Sequence, residues 1–388
     1  MKLTKFFLVL TMAGFFIACS SDDDTPQTPS VETPSSYSFE KDGSSSVSFT
    51  GQVARLKMAG ELKSALGKNE KTEVELMKMF KDGMGFADES LNTSGKKLRS
   101  TVASAPNSDV ASTEAEALRA KMDGWIIERN DVVSNWDRDA SKGVSGKLEK
   151  GGKTRHVTSK GVEVNQAMAK TMIGAIILDQ IVNKYVSDKF IEDNKAGNDA
   201  GTPYKENANY TKLEHGWDEA YGYVFGLEDD TANPANSTDA RKGFLNSYLK
   251  SVEADEDFKG IFDKVNNAFR LGRAAIVAKQ YDIVKEQAKI LRTELSKVIG
   301  IRTVHYLLKG KGTKDASTLH ALSEAYGFVH ALRFAHDDKG NQVPQQSITK
   351  SLSFLEKENG LWDVADDELD SLAGIIAGVF GFEPSQAL

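Results

Sequence analysis

The chain is poor in several of the usual structural devices. Its 388 residues contain one cysteine, Cys19, so no intramolecular disulfide framework is open to it and stability must come from packing. Only eight prolines occur, most of them outside the stretches that read as helix interiors. Strand signals are almost absent, no H-E-x-x-H occurs, and no apolar segment, the run at 6–18 included, is long enough to span a bilayer as a permanent helix. A net charge of -7 speaks against a nucleic-acid footprint, and Lys147, Lys150, Lys153 and Arg155 read as one local loop patch.

What is present at the start is distinctive. Lys2 and Lys5 precede the apolar run 6–18, which stops at Cys19 before Ser20, Ser21, Asp22, Asp23 and Asp24. A basic head, a short apolar stretch and a small residue before the cut make a lipoprotein leader, residues 1–18, with Cys19 as the lipidated N-terminus. Bacterial triacylation supplies more than one chain, enough for stable anchoring. Residues 19–50 are expected as lipidated cysteine and tether: 25–36 are rich in Pro, Ser and Thr, and 37–49 alternate weakly as an extended lead-in.

From Gly51 the apolar residues recur at helical spacing, as in Val53, Leu56, Ala59, Leu62 and Leu66. Helices are predicted over 52–66, 72–81, 113–134, 161–190, 209–226, 238–253, 257–286, 288–309, 316–335, 346–358 and 363–380, which makes the body all-α. The segment 215–224 matches 320–329 in the frame H-x-x-x-E-A-Y-G-[Y/F]-V, six identities and one aromatic exchange in ten positions. Each copy follows a long amphipathic helix, at 168–186 and 288–308. The expected architecture is a duplicated helical bundle of two four-helix-type halves, 51–236 and 237–388.

Residues four apart share a helix face, so His215 lies over Glu219 and His320 over Glu324. Imidazole and carboxylate at this spacing can ligate zinc or iron, or lock helices as a buried hydrogen bond. Gly222 and Gly327 on the same face admit either a close helix or a ligand. Convergence of the four side chains would make one pocket, with Asp218 and Arg302 adjusting its charge. Arg302 shares an apolar arc with Glu294 and His305 and needs a partner there. His330 and His336 read as structural or exposed.

The leader, Ser21-Asp22-Asp23-Asp24, the opening 51–56 after Val47-Ser48-Phe49, and the repeated His/Glu helix resemble the surface lipoproteins of a Bacteroidota domain-of-unknown-function family related to imelysin-like proteins. The resemblance covers about 36–388 and implies a helical protein on the outer membrane, facing the medium or the periplasm, in an iron-uptake setting. The family's G-x-H-x-x-E motif is met in its histidine alone, His215; Leu213 stands in place of the glycine and Asp218 in place of the glutamate, with Glu219 one residue later. Around His320 only Glu324 serves. The resemblance implies capture of iron, haem or another metal-linked nutrient for a TonB-dependent transporter. A metallopeptidase using Glu219 or Glu324 as general base, or a metal-free partner protein, are the alternatives.

Overall fold

The computed structural model describes residues 31–237 and 244–388. The leader, Cys19 and the aspartate run lie outside the described residues. Among those described, thirteen α-helices and two small antiparallel sheets appear, and 31–388 pack as one compact unit.

The helices follow the apolar periodicity closely at the start. α1 (Thr50–Leu66) buries Leu56, Ala59, Leu62 and Leu66. α2 (Glu73–Met77) starts at a capping box, Thr72 accepting from the Glu75 amide while Glu75 accepts from that of Thr72. After the short α3 (Glu89–Asn92), α4 (Ser112–Ser134) turns Leu118, Met122, Trp125 and Ile126 inward.

The centre is α5 (Val164–Met172), continued through wider π-type turns at Ile173–Leu178 and Ile181–Tyr185. Amphipathicity was expected for 168–186, yet almost every residue is buried, because α1, α4 and α11 all pack on it or its continuation. Ser187 ends it and caps α6 (Asp188–Asp199), accepting from the Phe190 amide. α7 (Lys212–Phe225) begins at a second capping box, Thr211 with Glu214.

α8 (Phe244–Glu253) and α9 (Ile261–Val277) lead to α10 (Tyr281–Lys309), and the expected junction near 287 lies instead at 278–280, where Lys279 has φ +57°. α11 (Ala316–Ala331) is flanked by α5 and α10, and α12 (Gln345–Leu355) and α13 (Asp366–Val379) close the body.

Two expectations fail outside the helices. The basic loop patch is a hairpin, β3 (Gly146–Lys150) and β4 (Lys153–Val157), numbered after the two-residue strands β1 (Glu40–Lys41) and β2 (Ser44–Ser45). Gly151 and Gly152 form its turn with φ +57° and +71°, which glycine adopts freely. Within 37–49, assigned to the tether, Tyr37 and Ser46 are buried while 40–45 stay exposed: Tyr37 is 3 % exposed and its ring lies 3.6 Å from that of Tyr221, nearly parallel.

Glycine sets how closely the central helix meets its neighbour. A Cβ on Gly174 would stand 2.2 Å from the Ala331 Cα, backbone that has nowhere to yield. Gly174→Ala is expected to cost about 1–3 kcal/mol or more by overpacking. Gly60→Ala, on α1 with no neighbour within 4 Å, is expected to stabilise by about 0.5–1 kcal/mol. Urea midpoints of the two variants should move in opposite directions.

Candidate functional site

The two His/Glu pairs have different partners. Glu219 and Tyr185 share the Gln52 amide, which donates to the Glu219 Oε1 at 2.7 Å and to the Tyr185 hydroxyl at 3.4 Å. Glu324 binds the ammonium of Lys170 at 2.6 Å. Tyr185 and Lys170 stand fifteen positions apart on one helical stretch. Each pair therefore engages its own partners, Gln52 at Glu219 and Lys170 at Glu324.

The second pair is committed to the fold. Lys170 is 2 % exposed and also donates to the Gln166 side chain at 2.6 Å. His320 places Nδ1 2.5 Å from the Glu163 carboxylate and Nε2 3.6 Å from that of Glu324. Burial alone would push the Glu324 carboxyl up, but Lys170 and His320 outweigh it and hold it below its ordinary value. Tyr248 donates to the same carboxylate at 3.4 Å. Arg302 lies over Tyr306 and Tyr248, its Cζ 4.7 and 5.4 Å from the ring centroids, so among the described residues aromatic faces answer its charge. Glu294 meets Lys264, and His305 bonds the Ala387 carbonyl.

The first pair is less committed. The His215 Nε2 stands 3.8 Å from the Glu219 Oε1, beyond a hydrogen bond, and its Nδ1 has no well-formed partner. The rings of Tyr204 and Tyr210 lie 4.4 and 5.1 Å from the imidazole, and Tyr204 is an exposed aromatic. Burial lowers the His215 pKa; the Glu219 charge and the Ser48 backbone only partly restore it. The imidazole is neutral at pH 7, the form that binds metal.

Asp218 belongs to neither pair. It is fully buried, accepts from the Arg273 Nε at 3.0 Å and the Tyr37 hydroxyl at 2.7 Å, and also from the Ser48 amide. Arg273 is held on its other side by Glu214 at 2.9 Å. Burial raises the Asp218 carboxyl to about 6, against the pull of Arg273. This network latches residues 37–49 onto α7, a role its position in the repeat did not disclose.

The repeat glycines serve close approach. A Cβ on Gly222 would stand 2.3 Å from that of Phe49, and one on Gly327 2.6 Å from the Ala167 carbonyl. Among the described residues no three His, Cys, Asp or Glu side chains gather so as to hold a metal ion.

A family model described as a domain of unknown function (DUF4856) matches residues 34–383. No curated protein and no solved structure matches the chain.

Proposed function

We propose, for a chain that belongs to the DUF4856 family, a non-enzymatic role as a lipid-anchored outer-membrane protein that captures iron in an organic frame, haem foremost, for a TonB-dependent transporter. The kinship with imelysin-like proteins, the surface location and the transporter partner are parts of this proposal. The observation that carries it is the neutral His215 clustered with the rings of Tyr204 and Tyr210, with Glu219 beside it. A bare ion needs several protein donors, and this site brings one imidazole and one carboxylate. A porphyrin brings four nitrogens of its own and asks the protein for an axial ligand and flat apolar contacts. That donor count favours haem over free iron or zinc.

The peptidase alternative has less support, because a hydrolytic ion takes three protein ligands and keeps one position open. The metal-free partner alternative draws on the second pair, where His320 and Glu324 are engaged with Glu163 and Lys170.

Haemin titration of protein purified without a His-tag tests the assignment. A saturable Soret change near one equivalent is expected, weakened at least tenfold by His215→Ala and unmoved by His320→Ala. Iron or zinc salts should leave the melting temperature nearly unchanged, while haemin raises it. Absence of saturation, or equal binding by His215→Ala, leaves the metal-free partner role in its place.

A further inference from the structure

A cleft of about 290 Å³ opens between α4, α11, the end of α12 and the loop at 160–162, on residues the His/Glu repeat does not use apart from Tyr326. Its floor is aromatic: Trp125 and Tyr326, each 4 % exposed, meet edge to face at 5.5 Å. One wall is already tied together. The Lys121 ammonium donates to the Glu356 Oε1 at 2.6 Å and to the Tyr326 hydroxyl at 3.2 Å, and that hydroxyl donates to the same Glu356 oxygen at 2.7 Å.

Beneath this wall a buried polar group lacks a partner. His330, 1 % exposed, accepts from Arg333 at Nδ1, so its proton sits on Nε2. That N–H has no hydrogen bond, the Glu356 Oε1 lying 3.8 Å away. Burial, with Arg333 and Lys121 adding to it, lowers the His330 pKa well below its ordinary value and keeps the ring neutral.

Glu128, two turns on from Lys121 along α4, and Lys160 also bound the cleft; both are exposed, and the Lys160 charge acts on the Glu128 carboxyl, yet neither forms an ion pair with another described residue. Lys160 is fixed by its backbone, its carbonyl accepting from the Leu361 amide at 2.9 Å. An anionic and a cationic group at the rim of one cleft, not closed on each other in an ion pair, over an aromatic floor are complementary to a molecule with both charges and an apolar body.

We propose that this cleft binds a small zwitterion, an α-amino acid with an apolar or aromatic side chain. Its ammonium meets Glu128, its carboxylate meets Lys160, and its side chain lies on Trp125. The cleft is separate from the His215 site and does not depend on haem capture.

Calorimetry with L-phenylalanine tests this on the intact protein. Saturable binding is expected, at least tenfold weaker for N-acetyl-L-phenylalanine, which lacks the ammonium, and for L-phenylalaninamide, which lacks the carboxylate. Glu128→Gln and Lys160→Met should each weaken L-phenylalanine at least tenfold. Gly124 supplies a control for folding, since a Cβ there meets nothing within 4 Å. Gly124→Leu is expected to fill the cleft and abolish binding while the urea midpoint stays or rises, leucine being the better helix former. No saturable binding of L-phenylalanine at millimolar concentration, equal binding of the blocked forms, or binding that survives Gly124→Leu overturns the proposal.

Discussion

Arg273→Met is expected to lower stability by about 3–5 kcal/mol, the cost of removing one partner from a buried ion cluster. The guanidinium is wholly buried and bonds Asp218 at 3.0 Å and Glu214 at 2.9 Å. Methionine fills part of the volume but leaves two carboxylates without their cation. The loss should depend on pH with a definite sign. A carboxyl whose folded pKa is raised stabilises the fold below its unfolded pKa, and that contribution is lost as pH rises through the folded value. Asp218 already sits at about 6 with Arg273 present, and without it the value moves higher. The variant should therefore weaken from pH 5 to pH 8 more steeply than the parent. Adding Asp218→Asn should flatten that dependence, and urea midpoints at the two pH values read both effects. Tyr37 and Ser48 bond the same carboxylate, so proteolysis within 37–49 should quicken in the single variant.

Lys170→Met is the second large effect, again about 3–5 kcal/mol, because Glu324 would keep its charge in a buried site. The compensating double variant, Lys170→Met with Glu324→Gln, should recover most of the loss. A double-mutant cycle by urea denaturation then gives a coupling well above that of an exposed pair. Since the Glu324 carboxyl is held below its ordinary value, its contribution is present above the unfolded pKa and fades as pH falls through the folded one. A negligible coupling would mean that the second pair is not the lock described. Haemin binding should survive in both variants, provided they are assayed well below their melting temperatures.

Much of the helical body is legible in the residues because local rules and tertiary packing agree there. The period of Leu56, Leu62 and Leu66 locates α1, and the Thr72/Glu75 and Thr211/Glu214 boxes mark two helix starts. The hairpin was also within reach: Gly151-Gly152 between Leu148 and Val157 is a two-residue turn signal, obscured by the density of lysine around it. The seating of segment 37–49 was not, since it rests on Tyr221, Asp218 and Gly222 of α7. Nothing near Tyr37 in the chain announces those partners.

The repeat shows the same division more sharply. Helical spacing alone puts His215 near Glu219 and His320 near Glu324, and the structure has both pairs, at 3.8 and 3.6 Å. What each pair does depends on the neighbouring helix: a buried Lys170 ammonium pairs directly with Glu324, whereas Glu219 accepts from the neutral amide of Gln52 and feels the Lys184 charge without a close ion pair. Identical motifs thus acquire different electrostatic settings.

By itself the sequence determined an all-helical body, most helix limits and the geometry of contacts within one helix, because backbone hydrogen bonding and side-chain period act over a few residues. Only the tertiary structure decided which buried charges are paired, where residues 37–49 lie, and that Trp125, Lys160, Tyr326 and Glu356 face one cleft. Those outcomes depend on desolvation and on groups distant in the chain, which only packing brings together.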